Sequence, residues 1–118
     1  MNADLHFLPR LRVFQIQVAV NQTFASLTKL SAVQELCFQS VLATDQALRT
    51  ISKHRNLAVL EIPRASALQN DVLSEIAQQC TMLQRLSISC ASEIDDISSL
   101  VYLKFLQVLD ISLCAVGD

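Results

Sequence analysis

Four cysteines (Cys37, Cys80, Cys90, Cys114) and two histidines (His6, His54) are the side chains of this 118-residue sequence best suited to chemistry. Thiolate and imidazole ligands of structural zinc come in local pairs a few residues apart. No C-x2-C or C-x4-C pair occurs, and neither histidine has a partner at ligand spacing. An unpaired cysteine in a core behaves as a small apolar group, so the four are expected to be reduced packing residues that hold no metal. His54, in the polar run "SKHRN", reads as a solvated turn residue. No G-x-S-x-G elbow marks a nucleophile. One glycine in the whole chain leaves nothing to build a phosphate-cradling loop. Glu93, Asp95 and Asp96 are carboxylates, but calcium needs about six to eight oxygens from a shaped loop. One of the two aspartates is expected to cap a short helix starting near Ile97, and Asp71 to do the same before Val72. The expectation is a chain with no catalytic residue, cofactor or metal, and no enzyme activity.

Composition narrows the remaining classes. With 52% hydrophobic and 17% charged residues, the chain is globular and of a length for one domain. A net charge of -2 without any basic cluster argues against nucleic acid as a partner. Asp4, Arg10 and Arg12 interrupt any apolar leader. No run approaches the roughly 20 apolar residues that cross a bilayer, so no membrane partner is expected. Scattered cysteines do not form a disulfide framework, which favours a reducing, intracellular and cytoplasmic setting.

What must position these residues is visible as a repeat. An apolar residue, two free positions, an apolar residue, one free position and an apolar residue recur five times. The copies are Leu11, Phe14, Ile16; Val33, Leu36, Phe38; Leu57, Leu60, Ile62; Leu83, Leu86, Ile88; and Leu106, Leu109, Ile111. Their starts are 22, 24, 26 and 23 residues apart. A second apolar pair at helical spacing follows the first four: Leu27 and Leu30, Leu48 and Ile51, Leu73 and Ile76, Ile97 and Leu100. Period two followed by period three or four means a short strand and then a helix or helical turn. Pro63, which cannot donate to a ladder, should end the third strand. Such units bury their apolar faces only by stacking. The expected fold is therefore α/β: a solenoid with a parallel β-sheet on its concave face and helices or helical turns on its convex face.

The step length lies in the range of leucine-rich repeats. Leu73, Ile76, Ala77, Cys80, Leu83, Leu86, Ile88, Ile94 and Asp96 resemble the cysteine-containing repeat best known from F-box substrate receptors of ubiquitin ligases. The resemblance implies that Cys80, at a helix end, and Cys114, after a strand, are buried packers. Cys90 sits one residue early for the second place, which Ala19, Val41, Ala65 and Ala91 fill elsewhere. The segment "DDISSLVYLKFLQVLDIS" instead resembles shorter repeats of bacterial and protist surface or cytoskeletal proteins.

Residues 1–118 thus read as one leucine-rich repeat domain of about five repeats, incomplete at its C-terminal end. Its central outward row is Gln15, Cys37, Glu61, Ser87 and Asp110. The flanking rows are Val13, Glu35, Val59, Arg85, Val108 and Gln17, Gln39, Pro63, Ser89, Ser112. Gln15, Gln17, Glu35, Gln39, Glu61, Arg85, Ser87 and Asp110 are the candidate partner-binding residues. The implied function is non-enzymatic protein–protein interaction or scaffolding within a larger assembly; the alternative is the substrate-recognition part of an F-box-type ubiquitin ligase. That family carries a helical segment ahead of its repeats, whereas only ten residues precede Leu11. The last strand, with apolar neighbours such as Val108 and Leu113, is expected to be completed by further chain or by a partner subunit.

Overall fold

A computed structural model describes residues 8 and 10–112; His6, Leu113 and Cys114 lie outside the described residues. Five strands, β1 (Val13–Val20), β2 (Glu35–Leu42), β3 (Val59–Glu61), β4 (Arg85–Ser87) and β5 (Val108–Asp110), form one parallel sheet in sequential order. Its register places Phe14 beside Leu36, Leu36 beside Leu60, Leu60 beside Leu86, and Leu86 beside Leu109. The same template position is thus aligned in every strand, because a one-residue slip would move each strand's apolar set to the opposite face.

Parallel neighbours need a crossover between them. Helices α1 (Asn21–Leu27), α2 (Asp45–Arg49) and α3 (Asn70–Gln79) supply it, with 3-10 turns at Thr50–Lys53 and Ser98–Tyr102. Val72, Leu73, Ile76 and Ala77 form the buried stripe of α3, at the spacing of one helix face. Neighbouring helical segments touch in chain order, α1 with α2, α2 with α3, and α3 with the second 3-10 turn. Between them and the sheet lies one core. Leu36, Leu60, Leu86, Val33, Leu57, Leu83, Ile62 and Ile88 are all buried within it, as are Ala19, Val41, Ala65 and Ala91. At the β1 end, Phe38 packs edge-on against Phe14 and Phe24 at ring separations of 6.4 and 5.5 Å, a favoured aromatic geometry.

Several local expectations are corrected. β1 and β2 run for 8 residues each, and β1 passes straight into α1. β3 and β4 span three residues each, and three positions beyond their ends Arg64 and Cys90, at equivalent places, enter the left-handed region at φ 60° and 62°. Pro63 follows β3 as expected. The short helix expected near Ile97 is present as a 3-10 helix, and Asp96 accepts from the Ser98 N–H at 2.8 Å. Asp71 does not precede α3 but lies in its first turn, where it pairs with Arg49 at 2.5 Å. Arg49 also reaches Glu75 at 3.3 Å, which ties α2 to α3.

His54 is the largest correction, since its side chain is buried rather than solvated. It lies three residues before Leu57, in a buried row with Leu30, Cys80 and Leu103 that closes each turn into the next strand. Burial pushes its pKa below the ordinary 6.5; a hydrogen bond to the Leu30 backbone opposes that shift and the Lys53 charge adds to it. The folded chain therefore holds His54 neutral, and the unfolded chain binds more protons once the pH falls below about 6.5. Stability contributed by His54 is intact above that pH and declines as the pH falls from there towards the lower folded pKa. The depressed carboxylates Asp71, Asp96 and Asp110 act in a separate window below their ordinary 3.8. Urea midpoints at pH 7.5 and 5.5 should differ for the parent and converge for His54→Gln; equal slopes with pH in both proteins would contradict this assignment.

Candidate interaction surface

Alternation along a strand sends successive side chains to opposite faces, so burying the Phe14–Leu36–Leu60–Leu86 row turns its neighbours outward. The register places Gln15, Cys37, Glu61, Ser87 and Asp110 side by side across all five strands. It aligns Val13, Glu35, Val59, Arg85 and Val108 in the same way. Gln17 and Gln39 lie between the aligned pairs Ile16–Phe38 and Val18–Ser40. All eight candidate residues therefore share one face. Gln15, Gln17, Gln39, Arg85 and Asp110 are exposed on it, and Glu35, Glu61 and Ser87 are half-buried.

This face has a graded chemistry. Gln15, Gln17, Cys37, Gln39 and Glu61 border an open groove of about 360 Å³ at the β1 end. Three carboxamides, a thiol and a carboxylate line it. Desolvation pushes the Cys37 thiol up to about 11, with the Glu61 and Glu35 carboxylates adding to the rise through their negative charge. Both carboxylates thus stand close to one point of the groove. At the opposite end Asp110 accepts from the Ser112 N–H at 3.0 Å and from its hydroxyl at 2.7 Å. These bonds hold its carboxyl below the ordinary carboxylate range. Against these three acids the candidate residues offer one cation, Arg85, so the surface is polar with an acidic excess.

The groups that suggested other chemistry are placed apart. Cys37, Cys80 and Cys90 are free thiols, and among the described residues no three His, Cys, Asp or Glu side chains gather as a metal site. A wider depression of about 520 Å³ on the helical side includes Ser52, Lys53, Arg55 and Glu75. Its carboxylate is already occupied by the Ser52 hydroxyl at 3.1 Å and by Arg49, so it is a polar seam between units. Among the described residues no helix is long and apolar enough to cross a membrane.

Two asparagines stitch the ends of units together and had gone unread in the sequence. Asn70 accepts from the N–H groups of Asp95 and Asp96 at 3.2 and 3.3 Å and donates to the Asp95 carboxylate at 2.6 Å. Asn21 accepts from the Thr44 N–H at 2.9 Å. Both open a helix, and that shared position is the signal that could have revealed them. Compared with protein-family models and with curated proteins, the chain matches none.

Proposed function

We propose that the chain is a leucine-rich repeat solenoid whose outward strand face binds a protein partner, as a non-enzymatic interaction or scaffold module. The observation that carries this reading is the sheet register. Five strands aligned at steps of 22 to 26 residues set a broad row of polar side chains outside the core. Side chains relieved of packing are available for recognition. The acidic excess of Glu35, Glu61 and Asp110 suits an extended partner segment carrying basic residues. Gln15, Gln17 and Gln39 can pair with its backbone.

A pulldown from an intracellular extract, with bound proteins identified by mass spectrometry, tests the reading. Reversing charge on this face with Glu35→Arg and Glu61→Arg should lower partner affinity at least about tenfold, because like charges then meet across the contact. Unchanged capture by a folded double variant would place recognition elsewhere. The buried Cys80 at the end of α3 favours the cysteine-containing repeat type, and with it the second reading as a substrate-recognition part of an F-box-type ubiquitin ligase. Co-capture of ligase subunits supports that reading; cytoskeletal or other scaffold partners support the first.

A further inference from the structure

Exposed apolar side chains among the described residues include Leu8, Val13, Val18, Leu42 and Met82, but five lie together in the last unit. Leu109 continues the row of Leu36, Leu60 and Leu86, which are 0% exposed, yet is itself 38% exposed. Val101, one place after Leu100, is the counterpart of fully buried Ala77 and is 67% exposed. Tyr102, Phe105 and Val108 are also uncovered. Val108 points to the outer face; taking roughly 150–250 Å² for each side chain, the other four leave about 400 Å² open on the opposite side. That is the scale at which an exposed patch marks an interaction site. It is about half of the roughly 800 Å² that each partner buries in a standard interface.

The backbone beside this patch is equally specific. The carbonyls of Arg12, Gln34, Ala58 and Gln84 each accept two successive N–H groups from the following strand. Gln107 is the fifth residue of that series, and among the described residues β5 pairs only with β4. On β5 the Val108 N–H donates to Gln84 and the Asp110 carbonyl accepts from Ile88, so both face β4. Alternation then turns the Leu109 N–H and carbonyl, the Gln107 carbonyl and the Ile111 N–H to the outer edge.

We infer that two copies of the chain associate through this edge, their β5 strands pairing antiparallel about a two-fold axis at Leu109. The outward groups are self-complementary in that arrangement. Each Leu109 exchanges both of its bonds with the Leu109 of the second copy, and each Ile111 N–H meets a Gln107 carbonyl. The two sheets join into one, with Leu109, Val101, Tyr102 and Phe105 of both copies on the same side. On the outer face Val108 stands opposite the second copy's Asp110, so no like charges meet. An isologous contact of this kind closes at a dimer. It meets the proposed partner face at Val108 and Asp110, but its test variants, Leu109→Pro and Val101→Glu, lie off that face, so it stands or falls separately from it.

Sedimentation equilibrium of the 118-residue chain over a roughly hundredfold concentration range tests the inference. The expected mass is twice 13.1 kDa at the upper end. Leu109→Pro deletes only an outward N–H and leaves the bonds to β4 in place; it should give a monomer with parent circular dichroism. Val101→Glu, which charges the flanking patch without touching the strand, should do the same. Leu109→Cys should form a covalent dimer on mild oxidation, since a hydrogen-bonded antiparallel pair sets its Cα atoms about 5.5 Å apart, within disulfide reach. A parent chain that remains at 13.1 kDa throughout, open-ended larger species, or a dimer indifferent to both Leu109→Pro and Val101→Glu would overturn it.

Discussion

Replacing Leu60 or Leu86 with alanine is expected to cost about 2–5 kcal/mol of folding stability. Both side chains are 0% exposed and sit next to each other in the central row of the sheet. Truncation removes three carbons from each and leaves a cavity that neighbours on both sides, Leu36 and Leu109, are held too firmly by the ladder to fill. Loss of that size takes a large share of the roughly 5–15 kcal/mol that keeps a domain folded. Leu109→Ala should cost clearly less, because its side chain is already 38% exposed and has less transfer energy to lose. Urea denaturation of the three variants measures the order. A loss below about 0.5 kcal/mol at Leu60 or Leu86, the size typical of surface sites, would contradict their place in the core.

That contrast shows how much of the architecture the sequence carried and where it stopped. Apolar residues at period two decide which face of a strand is inside, so the aligned row from Phe14 to Leu109 and the outward row from Gln15 to Asp110 could be read before any coordinates. The candidate surface was legible for the same reason: it is what remains when the core is subtracted. How the chain continues past β3 and β4 was not, because it depends on single backbone angles. Arg64 and Cys90 enter the left-handed region, a conformation usually marked by glycine or asparagine, and neither residue type announces it. Val18 and Ser40, at the same place in their units, stay extended within β1 and β2. His54 was misread because its neighbours Lys53, Arg55 and Asn56 are exposed, which made the whole run look solvated. Its distance of three residues from Leu57, the same as that of Leu30 from Val33 and Cys80 from Leu83, was the stronger signal.

The row formed by Leu30, His54, Cys80 and Leu103 also determines how Cys80 should react. Its thiol lies at the C-terminal cap of α3. There it donates towards the carbonyls of Ile51 at 3.5 Å and His54 at 3.4 Å. One sulfur thus bridges the preceding turn at two points, a task for a small, weakly polar donor. Burial pushes its pKa up to about 12 from an ordinary 9.0, against the opposing charge of Arg55. The thiolate is the reactive form, so a shift of that size lowers its population at pH 8 by about a thousandfold, before any obstruction by the surrounding core. Alkylation of Cys80 in the native chain should therefore proceed only through opening of the structure and should track its stability. Iodoacetamide labelling resolved by peptide mass spectrometry is expected to reach the half-exposed Cys37 before Cys80, although the Cys37 thiol is raised to about 11, and to reach Cys80 at full rate only in denaturant. Leu60→Ala should accelerate the Cys80 reaction by the same factor by which it increases the open population. Labelling of Cys80 in the native chain as fast as in denaturant would place its thiol outside the core and break the row that links the second, third and fourth units.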